Sequence, residues 1–134
     1  VGDEGVKLGC RAMRLQIELQ AIDLSYNYLT NRGVGYLIDG LSSNHSVVAL
    51  NLSGNVEIGD LGTKHLAQFL AMDPPIEELS LFHCGITDDG VEALVNGLMY
   101  NTHLAVLRLD MNKLTNDSLT MLLELVTRCE NRTL

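Results

Sequence analysis

The chain has 134 residues, of which 46% are hydrophobic and 19% charged, so it is long and apolar enough for one domain with a buried core. Acidic residues outnumber basic ones by 17 to 9, and the net charge of −8 argues against a protein that tracks nucleic-acid phosphates. No apolar run reaches the roughly 20 residues of a membrane-spanning helix. Three widely spaced cysteines do not form a disulfide framework, and we therefore expect a cytoplasmic protein without a nucleic-acid or membrane partner.

A repeating unit organises the chain from its first residues to its last. A column of small residues has spacings of 28, 29, 28 and 28: Gly5, Gly33, Gly62, Gly90 and Ser118. A second column has spacings of 28, 29 and 28: Asn27, Asn55, Cys84 and Asn112. This periodicity predicts a repeat protein in a single domain, 1–134. A leading helix over 1–14 is followed by four repeats over about 17–44, 45–73, 74–101 and 102–131.

Each repeat is predicted to contain a short strand followed by a helix. The segments "LQAIDLSYN", "VVALNLSGN", "IEELSLFHC" and "LAVLRLDMN" alternate as a strand with one buried face does. Apolar residues then recur at helical spacing, as in Val34, Leu37, Ile38 and Leu41. Side chains that suit a helix N-cap stand two places before each small residue. These predicted caps are Asp3, Asn31, Asp60, Asp88 and Asn116.

Cys84 takes the place of asparagine in the column that follows each strand. An asparagine there can satisfy backbone groups of its own repeat and of the next one, and a buried thiol in the same place is predicted to be structural. His83 precedes it and, by strand alternation, should point to the opposite side. The pair is therefore not expected to form a site.

The pattern "LxxLxLxxN/C" followed by "x[TG][DN]xGxxxLxxxL" resembles the leucine-rich repeats of the ribonuclease-inhibitor-like class over essentially all 134 residues. The resemblance implies an α/β solenoid, a right-handed βα superhelix that forms a short horseshoe arc. Strands stack about 4.8 Å apart and helices about 8–10 Å apart, so the parallel sheet should be concave and the helices convex. Neither end resembles a polar capping repeat, and we expect a piece of a longer solenoid that can self-associate through its ends.

The sequence contains no motif that predicts catalysis, a cofactor or a metal. "GNVEIGDLGTK" resembles a phosphate-binding loop, but Asp60 stands where the lysine would be required. The four histidines and three cysteines lack ligand spacing, and no nucleophile and base can be paired. We therefore predict a protein that is not an enzyme.

The exposed strand positions form columns across the repeats on the predicted concave face. Large or charged side chains in these columns have the composition of an interface centre. The candidate protein-binding residues are Asp23, Tyr26, Phe82, His83, Arg108 and Met111. The alternative is that they are scattered surface residues without a role.

The first functional hypothesis is therefore a non-enzymatic interaction module or scaffold with a protein partner. The resemblance also implies two alternatives. The first is a regulator of another protein's activity: an activator of a small GTPase, an inhibitor, or the sensor region of a nucleotide-binding immune receptor. The second is a purely structural spacer in a cytoskeletal or axonemal assembly.

Overall fold

The computed structural model describes residues 2–15 and 18–128. Cys129 and the predicted boundaries near residues 1, 16–17 and 131 lie outside the described residues. Within them, helices and strands alternate in chain order. The helices are α1 Gly2–Leu15, α2 Asn31–Leu41, α3 Gly59–Leu70, α4 Asp88–Leu98 and α5 Asn116–Arg128. The strands are β1 Ala21–Asp23, β2 Ala49–Asn51, β3 Glu78–Ser80 and β4 Val106–Arg108.

The four strands form one parallel sheet in the order β1-β2-β3-β4. Their central residues are in register across the sheet: Ile22, Leu50, Leu79 and Leu107. These side chains point towards the helices, and Leu50 and Leu79 are almost completely buried. The helices cover only this face, and the predicted α/β solenoid with a parallel sheet is confirmed.

The core lies between the sheet and the helices. Equivalent leucines on the inner stripes of three helices are buried to 1% exposure or less: Leu37, Leu66 and Leu94. Burial of a side chain of this size contributes about 1.5–3 kcal/mol. Each repeat buries its apolar face only when the next repeat stacks against it, so the fold depends on the contacts between repeats.

Asparagine side chains join consecutive repeats just after the strands. Asn55 Oδ1 accepts hydrogen bonds from the backbone N–H groups of Asn27 and Leu29, both at 2.9 Å. Its Nδ2 donates to the carbonyl oxygens of Leu24 at 3.0 Å and Leu52 at 2.8 Å. Asn112 makes the equivalent bonds one junction further along. The amide therefore satisfies backbone groups of its own repeat, as predicted, but its other partners lie in the preceding repeat and not in the next one.

Cys84 occupies the same column as a buried thiol. Its Sγ donates to the carbonyl oxygen of Leu52 at 3.1 Å, and burial raises the pKa of the thiol to about 11. His83 is exposed, whereas Cys84 is not, so the two side chains lie on opposite sides as predicted. The thiol is a structural group and is poorly suited to react.

The predicted N-caps of α2, α3 and α4 are wrong: the N-cap lies one position earlier in α2 and α4, and two positions earlier in α3, where it is Ile58. Thr30, not Asn31, is the N-cap of α2, with extended backbone angles and a hydroxyl that accepts from Arg32 N. Thr87 likewise precedes Asp88 as the N-cap of α4. The sequence favoured the column of aspartates and asparagines because these side chains are common at the N-cap of a helix.

The aspartates of that column instead bond to the following repeat. Each carboxylate accepts from the backbone N–H and the hydroxyl of a threonine at the start of the next helix, an arrangement that we call the carboxylate–threonine link. For Asp60 and Thr87 these distances are 2.8 Å to N and 2.5 Å to Oγ1. The linked pairs are Asp3–Thr30, Asp60–Thr87 and Asp88–Thr115.

The glycine column leaves room for these carboxylates. A Cβ on Gly90 would lie 2.5 Å from Oδ1 of Asp60. Ser118 stands in the same column, and its hydroxyl donates to Asp88 instead of displacing it. Between α2 and α3 the link is missing, because Asn31 and Gly59 replace its aspartate and threonine.

Candidate protein-interaction surface

The concave face of the sheet is open and carries two rows of side chains in register. One row holds Ala21, Ala49, Glu78 and Val106, and the other holds Asp23, Asn51, Ser80 and Arg108. Together they line a groove of about 410 Å³. Since neighbouring strands fix the rows about 4.8 Å apart, this surface is rigid and is presented without covering elements.

Hydrogen bonds on this face hold its charged side chains in place. Arg108 Nη2 donates to Asp110 Oδ2 at 2.9 Å, and this bond lowers the pKa of Asp110. Asp23 Oδ1 accepts from the hydroxyl of Ser25 at 2.6 Å and from its N–H at 3.0 Å, which lowers the pKa of Asp23. Because Arg108 is paired with Asp110, the groove has a negative balance.

Four of the six predicted residues lie together at one end of the face. The guanidinium carbon of Arg108 lies 5.5 Å from the centroid of the half-buried Phe82 ring. The rings of Phe82 and His83 are 6.3 Å apart. His83 Nδ1 is 3.3 Å from the carbonyl oxygen of Met111. These contacts define the Phe82 cluster: Phe82, His83, Arg108 and Met111.

Asp23 and Tyr26 belong to the other end of the sheet. Asp23 and Arg108 lie on the first and last of four strands in the same register row, and three strand spacings of about 4.8 Å separate these strands by roughly 14 Å. Tyr26 follows β1 and is 65% exposed. The six predicted residues thus form two groups on one face.

The residue three places after each strand has a left-handed backbone. Its φ is 55° at Tyr26, 78° at Gly54, 53° at His83 and 62° at Met111. Glycine adopts this conformation freely, whereas other residues are strained in it. A Cβ on Gly54 would also overlap the ring of Tyr26, so this exposed ring would have to move to accommodate a side chain there.

Sequence reasoning missed two exposed side chains on this surface. Tyr28 has a φ of 59° and is 91% exposed, and Val106 in the groove is 47% exposed. The aligned repeats carried only a partial signal for Tyr28, because Gly85 in its column also has a positive φ, whereas Val56 and Lys113 in the same column do not.

A metal site and a membrane-spanning helix are both absent from the described part of the chain. Among residues 2–15 and 18–128, no three histidine, cysteine or acidic side chains are grouped so that they could hold a metal ion. None of the described helices has the length and apolar character needed to cross a bilayer.

Two relatives are similar over most of this chain. It is 33% identical over 124 residues to human NACHT, LRR and PYD domains-containing protein 13, across 91% of this chain and 12% of that protein. It is 30% identical over 124 residues to mouse ribonuclease inhibitor, across 91% of this chain and 27% of the inhibitor. The chain therefore spans only about an eighth to a quarter of these relatives.

A family model and a solved structure agree with the repeat assignment. The leucine-rich-repeat model matches residues 43–67, 73–95 and 100–123. The solved structure of leiomodin-1 actin-binding site 2 superposes with a TM-score of 0.80 over 98% of this chain and 75% of that one, at 17% identity, a likeness of fold alone. With the asparagine column and the 28- to 29-residue period, these matches establish that the chain belongs to the leucine-rich-repeat family, in its ribonuclease-inhibitor-like class.

Proposed function

We propose that this chain is a non-enzymatic interaction module that binds another protein across its concave sheet and the loops that follow the strands. The observation that carries the proposal is the left-handed column after the strands. It holds large, exposed side chains in three repeats and glycine in the fourth.

The strain in this column favours a role for its side chains. Gly54 supplies the same backbone conformation without strain, so the fold does not need a bulky residue there. Tyr26, His83 and Met111 each occupy it at a cost of about 1 kcal/mol. Strained residues that persist in a structure are a reason to seek a function for them.

The Phe82 cluster has properties that favour binding. Aromatic, methionine and arginine side chains are enriched in interface centres. Arg108 is already held against Phe82 and Asp110, so it loses little side-chain freedom when a partner binds. Tyr26 and Tyr28 offer a second aromatic contact at the other end of the face.

The charge of the surface favours a neutral or basic protein partner. Asp23 and Glu78 line the groove, and its arginine is already paired. Charge complementarity between this acidic groove and a basic partner mainly raises the association rate, and repulsion disfavours acidic partners. The net charge of −8 also disfavours nucleic acid. The buried Cys84 thiol, which forms no disulfide with another described residue, suits a cytoplasmic location.

The test compares two triple variants in pull-downs from cytosolic extract. The concave variant is Tyr26→Ala, Phe82→Ala, Met111→Ala. The matched control removes exposed side chains from the helical side: Leu8→Ala, Leu61→Ala, Tyr100→Ala. We expect a partner that the parent and the control retain and the concave variant loses, with unchanged circular dichroism for all three. A partner retained equally by both folded variants would refute the concave assignment.

A second candidate is an inhibitor-type regulator, which the 30% identity to ribonuclease inhibitor favours. In this role the same concave surface would cover the active site of a bound enzyme. Titration of the chain against a ribonuclease tests the kind of inhibition that the name of this relative suggests. Activity that stays unchanged at micromolar chain would exclude inhibition of that enzyme.

A further inference from the structure

Glu78 places a carboxylate between apolar neighbours in the concave groove. It begins β3, and its register partners on the flanking strands are Ala49 and Val106. Neither of these side chains can bond to a carboxylate. Glu78 is exposed, and its side chain makes no hydrogen bond or ion pair within residues 2–15 and 18–128. The described part of the chain therefore leaves this carboxylate unpaired.

Arg108 is the basic residue that lines the groove, and its contacts direct it away from Glu78. Its Nη2 donates at 2.9 Å to Asp110, two residues further along the chain. Its guanidinium carbon lies 5.5 Å from the centroid of the Phe82 ring, four residues beyond Glu78. Because the strands are parallel, both contacts hold the guanidinium towards the carboxyl ends of the strands. Arg108 therefore does not compensate the charge of Glu78.

The other polar groups that line the groove do not compensate this charge either. Ser80 lies two residues from Glu78 on the same face, and its hydroxyl shares a hydrogen bond of 2.7 Å with the hydroxyl of Ser53. Asp23 is itself an acid, and it accepts its hydrogen bonds from Ser25. A cation that pairs with Glu78 must therefore come from outside the described part of the chain.

A protein that covers the groove would remove water from Glu78. Burial of an ionised carboxylate is strongly unfavourable unless an opposite charge is hydrogen-bonded to it, because the carboxylate loses its hydration. Binding across the concave sheet, as proposed above, covers this groove. The bound protein therefore has to supply the cation.

The surroundings of Glu78 favour arginine as the source of that cation. Ala21 and Ala49 occupy the same row on the two preceding strands, and their small side chains leave room beside Glu78. The methylene stem of a long basic side chain can lie over these alanines while its charged head reaches the carboxylate. Arginine is more weakly hydrated than lysine, and it binds a carboxylate through two parallel N–H bonds.

We propose that Glu78 is the specificity-determining residue of the concave surface, and that it pairs with an arginine of the bound protein. The stem of this arginine lies over Ala49, and its guanidinium donates to both oxygens of Glu78. The inference rests on the proposed function, because it applies only where a protein covers the groove. A protein with a neutral or acidic residue at this point would leave Glu78 buried and unpaired, and is rejected for that reason.

The probe is a displayed library of random peptides of about 12 residues. An extended peptide of this length, at about 3.3 Å per residue, crosses all four strands, which span roughly 14 Å. Peptides that also bind the concave variant are removed. Those that remain on the parent chain are synthesised, and each arginine is replaced in turn by citrulline, its uncharged analogue.

Two variants of the chain locate the contact. Glu78→Gln removes the charge and keeps the size of the side chain. Glu77→Gln is the matched control, because Glu77 is an exposed neighbour that lies outside the lining of the groove. Both variants change the net charge equally, so general attraction between an acidic chain and a basic peptide affects them alike.

We expect the selected peptides to share an arginine. Their affinity should fall at least tenfold in Glu78→Gln and stay within twofold of the parent in Glu77→Gln, whereas the citrulline form should bind the parent and Glu78→Gln equally. Equal affinity for the two variants, or selected peptides without a shared arginine, would overturn the inference and leave the proposed function intact. If no peptide distinguishes the parent from the concave variant, the proposed function fails, and this inference fails with it.

Discussion

Removal of one carboxylate–threonine link should destabilise the fold measurably. Asp60→Ala deletes two charge-assisted hydrogen bonds, at 2.8 Å and 2.5 Å to Thr87, and leaves the N–H of Thr87 without its acceptor. Bonds of this type contribute about 1.5–3 kcal/mol each, and water competes at this half-buried site. We therefore expect a loss of about 2 kcal/mol in the free energy of unfolding. The melting temperature should fall by about 8 °C.

Urea denaturation followed by circular dichroism measures this loss. Asp89→Ala is the matched control, because Asp89 is an acidic residue in the first turn of α4 that is exposed and makes no link among the described residues. Asp89→Ala removes only the favourable interaction of the carboxylate with the helix dipole, which contributes about 0.3–1 kcal/mol. A double-mutant cycle with Thr87→Val should give a coupling of about 1 kcal/mol or more. If Asp60→Ala costs no more than Asp89→Ala, the link does not stabilise the junction.

Three further outcomes are expected. Desolvation acts to raise the pKa of Asp73, but hydrogen bonds from Thr102 and the neighbouring His103 outweigh it and lower the pKa to about 2. These interactions should therefore stabilise the fold above pH 4 by about 1 kcal/mol after solvent screening, and the gain should vanish between about pH 4 and 2. An equal acid profile for Asp73→Asn would contradict this. Gly97→Ala should lower the free energy of unfolding by more than 1 kcal/mol, because the added Cβ would meet the backbone of Ala67. Gly35→Ala, where a Cβ meets no atom within 4 Å, should raise it by up to about 1 kcal/mol. The reverse order in thermal melts would contradict the close approach of the α3 and α4 backbones. Cys84 should resist alkylation at pH 8 in the folded state and react in urea, as peptide mapping would reveal.

The periodic part of the fold could be predicted from the sequence. Apolar residues at strand and helix spacing determine which faces are buried, and a 28-residue period repeats that information four times. The role of Asn55 follows from chemistry alone, because an amide both donates and accepts. The link between Asp60 and Thr87 did not follow, because it depends on how neighbouring helix starts are offset in space. The residue type of Asp60 suggested an N-cap, whereas the N-caps are Thr30 in α2, Ile58 in α3 and Thr87 in α4.

For the candidate surface, the sequence predicted which face of the sheet is exposed but not where the residues lie along that face. Alternation placed Asp23 and Arg108 on the exposed side of the sheet, but not at its opposite ends. The contact of Arg108 with Phe82 depends on rotamers that the sequence does not determine. Tyr28 was missed because alternation ends where the strand ends and a left-handed backbone begins.

The missing link between α2 and α3 has a mechanical consequence. This junction lacks the carboxylate–threonine link, and its two helices pack less closely than α1–α2 and α3–α4, so we expect it to bend more readily than those two junctions. The links join α1 to α2 and α3 to α4 and α5, so we expect the helices on each side of the junction to move together. Tyr26 belongs to the α1–α2 side and Phe82 to the α3–α5 side. Bending at the α2–α3 junction would therefore change the distance between Tyr26 and the Phe82 cluster. The concave surface could then fit protein partners of different width.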